Sequence, residues 1–229
     1  MRRTVTEEIL DSPDCPADEV AKSLADLNGI NRRFGGVRAT RLLIERIAGE
    51  TGQKHFSLLE VAAGQGFVPR AAARQLASKG ITLDVTDSDV SASHLLPSKP
   101  GREHRAVVAN ALALPFRDAS FDLVSSNLFV HHLEPEQVQS FAREALRVSR
   151  VAVLINDLVR HRLHLAAVYA GWLLMKSYVS RVDGVASVKR AYTPDEMRDM
   201  LSKVAPSVNA ISVERRFLFR MGVIAWKAK

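Results

Sequence analysis

Short apolar segments of strand length alternate with segments of helical periodicity over most of the 229 residues. In such an alternation a helix joins each strand to the next, which is the connection that parallel strands need. Residues 151–156 (VAVLIN) are apolar almost throughout, as expected for a strand that is covered on both faces of a sheet. The sequence therefore predicts an α/β fold with a doubly wound, mostly parallel, seven-stranded sheet.

Hydrophobic periodicity and turn residues place the individual elements. Strands are predicted at 56–61, 81–86, 105–108, 121–126, 151–156, 208–215 and 219–226, the last two as an antiparallel pair. Helices are predicted at about 16–27, 37–47, 69–79, 90–97 and 136–148, with a largely helical stretch to about 188. The motif TPDE at 193–196 reads as the capped start of a further helix.

These elements predict one globular domain in four parts. The first part is an N-terminal arm with a helical cap (1–50), and the second is a ligand-binding core (51–157). A helical insertion (158–192) follows, and a helix with two closing strands (193–229) completes the sheet.

Composition and charge limit the class of partner. The formal net charge is +7, but the basic residues are scattered without a block of five or six, so we expect no nucleic-acid partner. Cys15 is the only cysteine, which excludes an intrachain disulfide and agrees with a cytoplasmic location. The apolar run at 163–175 is shorter than the roughly 18 residues of a membrane span, although peripheral membrane contact stays open. We expect no signal peptide, and a monomer or a homodimer.

A glycine-bearing turn follows the first predicted strand. Residues 58–66 (LLEVAAGQG) run from an apolar strand into small residues, and a helix begins directly afterwards. Gly64 and Gly66 let the backbone approach a ligand closely, and the N-terminus of the helix adds N–H donors. A turn of this kind also serves packing alone, so both interpretations stay open.

Two polar residues follow the next two strands. Asp89 comes after the second strand, where a carboxylate can accept hydrogen bonds from both hydroxyls of an adenosyl ribose. Asn110 comes after the third strand, where an amide can pair with the edge of an adenine. Asp89 could instead cap a short helix, and Asn110 could form a turn. Because the carboxyl ends of successive parallel strands meet at one edge of a sheet, the three features together favour a ligand site there.

Residues 110–124 read NALALPFRDASFDLV, and residues 127–133 read NLFVHHL. With the turn at 60–66, these segments resemble the class I S-adenosylmethionine-dependent methyltransferases, in particular the ubiquinone/menaquinone-biosynthesis type. The resemblance implies a Rossmann-like methyltransferase fold, with the N-terminal helices as a cap and the insertion as a lid. It also implies S-adenosylmethionine as the cofactor and S-adenosylhomocysteine as the product.

The resemblance assigns cofactor contacts to residues that follow the first four strands. These residues are Glu60, Ala62, Gly64, Gly66, Asp89, Val90, Asn110, Ala111 and Asn127. Ala62 departs from the family's first glycine, which is tolerated if the backbone there stays in a region allowed to L-residues. Asn110 departs from the usual aspartate, so an amide oxygen would accept the bond from the adenine amino group.

Three further segments look like a bacterial subgroup associated with polyketide or other secondary-metabolite pathways. They are 30–36 (INRRFGG), 156–160 (NDLVR) and 183–192 (DGVASVKRAY). This resemblance implies a phenolic, quinone-like or polyketide-like acceptor.

Two adjacent histidines follow the fourth predicted strand. Methyl transfer from a sulfonium is an in-line displacement, so an enzyme mainly aligns the acceptor and excludes water. An oxygen acceptor must also lose its proton, and histidine is the usual base near neutral pH. His131 and His132 are therefore the catalytic candidates, with a positioning role as the alternative. Because the sequence shows no carboxylate partner at ligand spacing, no metal site is predicted.

The insertion carries the candidate contacts to the acceptor, which are Tyr169, Trp172 and Tyr178. Their spacing is also typical of ordinary core packing or of an interfacial helix, so these alternatives stay open. The stretch at 160–164 (RHRLH) is predicted to be a solvated face.

The sequence therefore favours methyl transfer to an oxygen or carbon of a small aromatic, quinone-like or polyketide-like acceptor. One alternative is a non-catalytic S-adenosylmethionine-binding or regulatory protein. A second is a nicotinamide-dependent oxidoreductase, but Pro69 stands close to where a dinucleotide-binding turn needs its third glycine.

Overall fold

The computed structural model describes residues 1–12, 14–95, 105–204 and 207–228. In this part of the chain seven strands form one sheet, in the order β3-β2-β1-β4-β5-β7-β6. The strands are β1 (His55–Val61), β2 (Thr82–Asp89), β3 (Arg105–Val108), β4 (Phe121–Asn127), β5 (Ser149–Leu158), β6 (Val208–Arg216) and β7 (Arg220–Lys227). Neighbours among β1 to β5 are parallel, and β7 is antiparallel to both β5 and β6. The predicted fold class is confirmed.

Seven α-helices accompany the sheet in the described residues. They are α1 (Ala17–Arg33), α2 (Gly36–Thr51), α3 (Phe67–Ala77), α4 (Pro135–Val148), α5 (Arg162–Gly171), α6 (Tyr178–Arg190) and α7 (Pro194–Ser202). Short 3-10 turns lie at Ile9–Asp11, Val130–His132 and Trp172–Leu174. None of these helices combines the length and the apolar character that a membrane span requires.

The core occupies both faces of the sheet because alternate residues of a strand point to opposite faces. On one face, Leu59 and Ile155 pack in the same cluster as Phe141 of α4. On the other face, Leu58 packs in the same cluster as Ile44 of α2. Helices α4 and α7 therefore cover the first face, and α2 and α3 cover the second.

The predicted helix start at Thr193 is confirmed. The Thr193 hydroxyl accepts a hydrogen bond from the Glu196 backbone N–H, and the Glu196 carboxylate accepts one from the Thr193 backbone N–H. This reciprocal box satisfies two donors that a helix N-terminus otherwise leaves unpaired. Helix α4 begins with a similar box between Glu134 and Gln137, which the sequence analysis did not identify.

Two helix boundaries differ from the prediction. Helix α1 continues through Asn28 and Gly29 to Arg33 instead of ending near residue 27. Tertiary contacts override the weak propensity of these residues, since the Asn28 side chain donates to Gln65 Oε1 at 3.2 Å. Residues 91–95 form a turn instead of the helix predicted at 90–97, and residues 96 and 97 lie outside the described part.

The prediction of a solvated face at 160–164 is wrong for two of its residues. The Arg160 guanidinium is buried and donates to the Ala191 carbonyl at 2.7 Å and to the Glu196 carboxylate at 2.5 Å. The His164 ring is buried and stacks on Phe219, with ring centroids 5.0 Å apart. These side chains are buried because the segment before α5 lies against Phe219, where the Val159 backbone N–H donates to the Phe219 carbonyl at 2.7 Å.

Candidate functional site

The carboxyl ends of β1, β2, β4 and β5 bring the predicted site residues to one edge of the sheet. Val61 lies beside Ser88 of β2 and Ser126 of β4 in the strand register. Asn127 of β4 lies beside Asn156 of β5. The glycine turn, the acid of β2 and the histidines that follow β4 are therefore grouped by the parallel topology, as expected for a ligand site in an open α/β sheet.

The glycine turn has two distinct parts. A Cβ atom on Gly66, whose φ is +60°, would lie 2.2 Å from Asp87 Oδ2, so glycine is needed there for packing. Among the described residues, a Cβ atom on Gly64 would meet only Leu24 Cδ2 of α1, at 3.8 Å. The backbone of Gly64 therefore borders open space beneath α1, and this arrangement fits close approach of a ligand.

Ala62 has a φ of 53°, which lies in the left-handed region. From the sequence, this alanine is expected to be tolerated if its backbone stays in a region allowed to L-residues. The region found is the small left-handed one, which costs an L-residue about 1–2 kcal/mol relative to the right-handed region. Glycine adopts this backbone conformation without strain, which explains the glycine usual at this position in the family. The alanine of this chain is strained there.

Asp89 ends β2, and two backbone N–H groups hold its carboxylate. Its Oδ2 accepts the Gly64 backbone N–H at 2.9 Å, and its Oδ1 accepts that of Ser91 at 3.0 Å. Burial raises the pKa of this carboxyl, but the neighbouring His94 and the two backbone donors outweigh burial and lower its pKa. An ionised carboxylate has about four lone-pair positions, so it can still accept from ribose hydroxyls. The adjacent Val90 is exposed.

Asn110 and Ala111 lie beyond β3 in a tight turn. The Asn110 Oδ1 accepts the Leu112 backbone N–H at 2.9 Å, so the turn-forming contact that the sequence left open is present. The Asn110 side chain is nevertheless exposed, and an amide oxygen has a second lone pair. The geometry is compatible with both roles.

Glu60 and Asn127 belong to a buried polar network below the glycine turn. The Glu60 carboxyl accepts from the Asn127 amide at 2.7 Å and from the Ser125 hydroxyl. The Asn127 Oδ1 in turn accepts from Thr40 at 2.7 Å and from Asn156 at 2.8 Å. Burial is the main cause that raises the pKa of Glu60 to about 7. The polar atoms of both predicted cofactor residues are therefore engaged with the protein itself.

Arg220 at the start of β7 extends this network, and the sequence analysis missed it. Its buried guanidinium donates to Asn31 Oδ1 at 2.9 Å, to the Phe34 carbonyl at 3.2 Å and to Asn156 Oδ1 at 3.4 Å. Burial lowers its pKa to about 10. The segments 30–36 and 156–160 thus both contact Arg220. In the sequence, the only indication that these two segments matter was their resemblance to a bacterial subgroup.

His131 is buried and paired with a carboxylate. Its Nδ1 lies 2.7 Å from Asp157 Oδ1, and its backbone N–H donates to Asp157 Oδ2 at 3.0 Å. Burial lowers the pKa of the ring, but Asp157 and the nearby Glu8 outweigh it and raise the pKa to about 10. An imidazole that already carries both protons near neutral pH cannot accept another, so the geometry favours the positioning role over the base.

The N-terminal arm covers both histidines, which the sequence did not reveal. Glu8 Oε1 lies 3.6 Å from Nε2 of His131 and 3.6 Å from Nε2 of His132. The His132 Nδ1 lies 2.9 Å from Asp11 Oδ2. The carboxylates beside this histidine pair are remote in sequence and reach it only through the fold, so sequence spacing could not reveal them.

The segment 183–192 holds this arm in place. Both oxygens of Asp183 accept backbone N–H groups of the arm, from Ile9 and from Leu10, each at 2.9 Å. The Ser187 hydroxyl donates to Glu8 Oε1 at 2.7 Å. The segment 183–192, the third of the segments that resemble the bacterial subgroup, therefore binds the N-terminal arm.

The insertion is tied to the glycine turn through α1. Asp26 of α1 accepts the backbone N–H groups of Lys176 and Ser177 at the start of α6, at 2.8 and 2.9 Å. The candidate acceptor contacts in the insertion are Tyr169, Trp172 and Tyr178, which are 46%, 37% and 65% exposed. Core packing, one alternative for these three side chains, is therefore wrong.

Comparison with known proteins identifies the class. The model of a methyltransferase domain family matches residues 59–152. No curated protein sequence matches this chain. Among the solved structures that share the fold, the three that follow are methyltransferases.

The plantazolicin methyltransferase BpumL, solved in complex with SAH, superposes with a TM-score of 0.69 and 12% identity over 96% of this chain and 93% of that chain. The magnesium protoporphyrin IX methyltransferase ChlM from Synechocystis PCC 6803, with bound SAH, superposes with a TM-score of 0.55 and 12% identity, over 85% of this chain and 84% of that chain. A SAM-dependent methyltransferase from Aquifex aeolicus superposes with a TM-score of 0.53 and 17% identity, over 80% of this chain and 89% of that chain.

The sheet order, the glycine turn and the domain match over residues 59–152 together support a class I S-adenosylmethionine-dependent methyltransferase. Its cofactor is S-adenosylmethionine, and its fold is the Rossmann-like methyltransferase fold. The nicotinamide alternative is therefore set aside.

Proposed function

We propose that this methyltransferase transfers the methyl group to an oxygen or carbon of a small aromatic, quinone-like or polyketide-like acceptor. Residues 51–157 hold the cofactor, and residues 158–192 form a lid that contacts the acceptor. Residues 1–50 cover both, and residues 193–229 close the sheet. When bound, S-adenosylmethionine supplies an electrophilic methyl group.

The observation that carries the proposal is the cover over the histidines. Glu8 of the arm is 7% exposed and His131 is 2% exposed, although both lie next to the carboxyl edge of the sheet. A covered site excludes water from the displacement and suits a small molecule. Methylation of a folded protein or an RNA would need an open cleft at this edge.

The cofactor residues have unequal roles in this proposal. The Asp89 carboxylate accepts the ribose hydroxyls, with the exposed Val90 beside it, and the Gly64 backbone approaches the cofactor. Asn110 and Ala111 contact the adenine. Glu60, Ala62, Gly66 and Asn127 shape the turn and the polar floor beneath the cofactor.

His131 and His132 place the acceptor in this proposal. His131 is buried and paired with Asp157, so its contribution is to position His132 and the N-terminal arm around the acceptor. The exposed rings of Tyr169, Trp172 and Tyr178 contact an aromatic acceptor in this proposal, and offset or edge contacts between rings contribute about 0.5–1.5 kcal/mol each. Tyr169 and Trp172 already contact each other, with ring centroids 5.2 Å apart.

Binding of the cofactor is the first test. Isothermal titration of the full chain with S-adenosylmethionine and S-adenosylhomocysteine is expected to show micromolar binding, with NADH as a negative control. Asp89→Ala is expected to weaken binding at least tenfold. The matched control is Asp84→Ala, an exposed acid of the same strand far from the turn.

Turnover is the second test. S-adenosylhomocysteine formation is measured by mass spectrometry with phenolic, quinone and polyketide-type acceptors. Azole compounds belong in the panel because BpumL is described in complex with a pentazolic desmethylPZN analog. Methylation of peptides or RNA, with no transfer to any small acceptor, would overturn the proposal.

A non-catalytic, cofactor-binding protein is the second candidate. The strained Ala62 and the protonated His131 favour it. Tight binding of S-adenosylmethionine without turnover on any acceptor class would support this candidate.

A further inference from the structure

The cluster of Glu8, His131 and His132 has the arrangement of a metal site. One ligand atom from each of the three residues lies within 4.8 Å of the other two. Glu8 Oε1 lies 3.6 Å from the Nε2 atom of each histidine, which is too long for a hydrogen bond. In the described residues no hydrogen bond joins the two ring nitrogens to this carboxylate oxygen. The oxygen accepts the Ser187 hydroxyl at 2.7 Å and has a second lone pair for a metal ion.

The gap among these three atoms has a size that fits a transition-metal ion. A point equidistant from three atoms at such separations lies about 2.1–2.4 Å from each of them. Bonds from Zn²⁺ to histidine nitrogen and to carboxylate oxygen are about 2.0–2.2 Å long. The three side chains need to move only by tenths of an ångström to bind the ion.

The buried Nε2 of His131 supplies an independent observation. In the described residues this nitrogen has no hydrogen-bond partner, although it is shielded from solvent. A buried polar atom without a partner has lost its hydrogen bonds to water without replacing them, so such atoms are rare in proteins. A metal ion in the gap would coordinate this nitrogen and replace them.

The other nitrogen of each ring is held as in established metal sites. The Nδ1 of His131 lies 2.7 Å from Asp157, and the Nδ1 of His132 lies 2.9 Å from Asp11. Metal-binding histidines almost always donate their second N–H to a carboxylate or carbonyl, which orients the ring and makes the ligand nitrogen more basic. Here both histidines have this support.

We propose that Glu8, His131 and His132 bind a divalent transition-metal ion of the zinc type. Two imidazoles with one carboxylate are the ligand set of open zinc sites, in which a fourth position is left for water or substrate. Mg²⁺ and Ca²⁺ prefer oxygen ligands alone and do not fit two nitrogens. Binding replaces the Nε2 proton of His131, which is released to solvent.

The ion would also tie the N-terminal arm to the sheet. Glu8 belongs to the arm, whereas the two histidines follow β4. The open fourth position is available to an acceptor oxygen, and this last step rests on the proposed function. Binding of the metal itself does not rest on it.

Direct metal binding tests the proposal. The full chain is freed of metal with EDTA and titrated with Zn²⁺ by calorimetry, and with Co²⁺ by visible absorption. We expect one ion per chain, submicromolar affinity for Zn²⁺ and the absorption bands of tetrahedral cobalt. Glu8→Gln and His132→Ala are expected to weaken binding at least tenfold.

Matched variants control for adventitious ions and for misfolding. Glu7→Gln and His55→Gln change exposed residues of the same types and are expected to bind metal like the unaltered chain. Asp11→Asn removes only the support of His132 from a half-exposed side chain, so it is expected to fold and to bind about 10–100-fold more weakly. Circular dichroism checks the fold of each variant.

The outcomes are decisive in both directions. Absence of binding to the unaltered chain, or equal binding by Glu8→Gln and Asp11→Asn, overturns the metal site. Binding of metal without any methyl transfer leaves the site standing and counts against the proposed function. Methyl transfer at full rate by the metal-free chain counts against the role of the fourth position only.

Discussion

Helices α4 and α1 illustrate two ways in which this chain holds its parts together. Helix α4 buries six apolar residues, among them Phe141 and Leu146, against the sheet. Helix α1 is longer, yet its fully buried residues are Ser23 and Asn31. We call the strands with α2, α3, α4 and α7 the body, and residues 1–33 with 162–190 the cap. The body is packed by apolar burial. The N-terminal arm and α1 of the cap are attached by polar contacts, and α6 also buries Val179, Ala186 and Val188.

This difference has a consequence for dynamics and function. Apolar burial contributes about 25 cal/mol per Å² and acts without specific partners, so the body opens only with global unfolding. A polar contact contributes about 0.5–1.5 kcal/mol, and water can replace it. We expect the cap to open at a lower free energy than the body, and this opening gives a covered site a route for cofactor and acceptor.

Phe141→Ala is the change with the largest expected effect, and it tests the body. Phe141 is fully buried and makes an edge contact with Phe129. The truncation leaves a cavity, so the free energy of unfolding is expected to fall by about 3–5 kcal/mol in urea titrations. The exposed neighbour Arg143→Ala is the control, with a change of about 0.5 kcal/mol or less. Equal effects of both changes would contradict apolar packing as the basis of the body.

Glu60→Gln tests the buried polar network of Glu60, Ser125 and Asn127, which lies inside the otherwise apolar body. The folded pKa of Glu60, about 7, lies above its unfolded value of 4.5, so protonation favours the folded state. Its contribution to stability is fully present below about pH 4.5 and is lost as the pH rises through 7, a change on the order of 3 kcal/mol. The variant has no such group, so its stability relative to the parent is expected to rise over this pH range in urea titrations.

The exposed Glu136→Gln is the matched control for Glu60→Gln. Its stability is expected to follow that of the parent chain at every pH. Parallel curves for Glu60→Gln and the parent would show that the buried carboxyl is not protonated in the folded state.

Asp183→Asn tests the attachment of the cap. The amide can accept through one oxygen only, so one of the bonds from Ile9 and Leu10 is lost and the charge is removed. We expect the arm to open more easily by about 1–2 kcal/mol, so hydrogen exchange at these two amides becomes roughly 5–30-fold faster. Exchange in β5 should not change. Asp195→Asn on the exposed side of α7 is the control, and uniform acceleration throughout the chain would contradict a separable cap.

Ala62→Gly has the smallest expected effect and concerns the turn between body and cap. Glycine removes the strain at a φ of 53° but gains freedom in the unfolded chain. A net gain of about 0.5–1 kcal/mol is expected in thermal unfolding, with cofactor binding retained or improved. Ala63→Gly, whose φ is not positive, should destabilise instead. A loss of stability in Ala62→Gly would show that residue 62 is not strained.

The order of elements in the body could be predicted from sequence because its signals are local. Runs such as 151–156 indicate a buried strand, and the TPDE motif fixes a helix start within four residues. The parallel topology then follows from the alternation, and it groups the glycine turn with Asp89 at one edge. The resemblance of 110–124 added the cofactor, which periodicity alone does not identify.

The cap could not be predicted in the same way, because its contacts join residues that are remote in the chain. Glu8 meets Ser187, and Asn31 meets Arg220, without any periodic pattern that links them. A polar residue carries no indication of its partner, and the same side chain can be solvated or buried. This is why Arg160 and His164 were expected on a solvated face.

The sequence by itself determined the class of fold, and it indicated the methyltransferase class and the sheet edge proposed for the cofactor, because these depend on hydrophobic period and contiguous motifs. Only the tertiary structure decided what surrounds the histidines. It placed Glu8, Asp11 and Asp157 around His131 and His132, and it raised the pKa of His131. The physical reason is that charge and burial at a site depend on every element that packs there, whereas sequence spacing describes one element at a time.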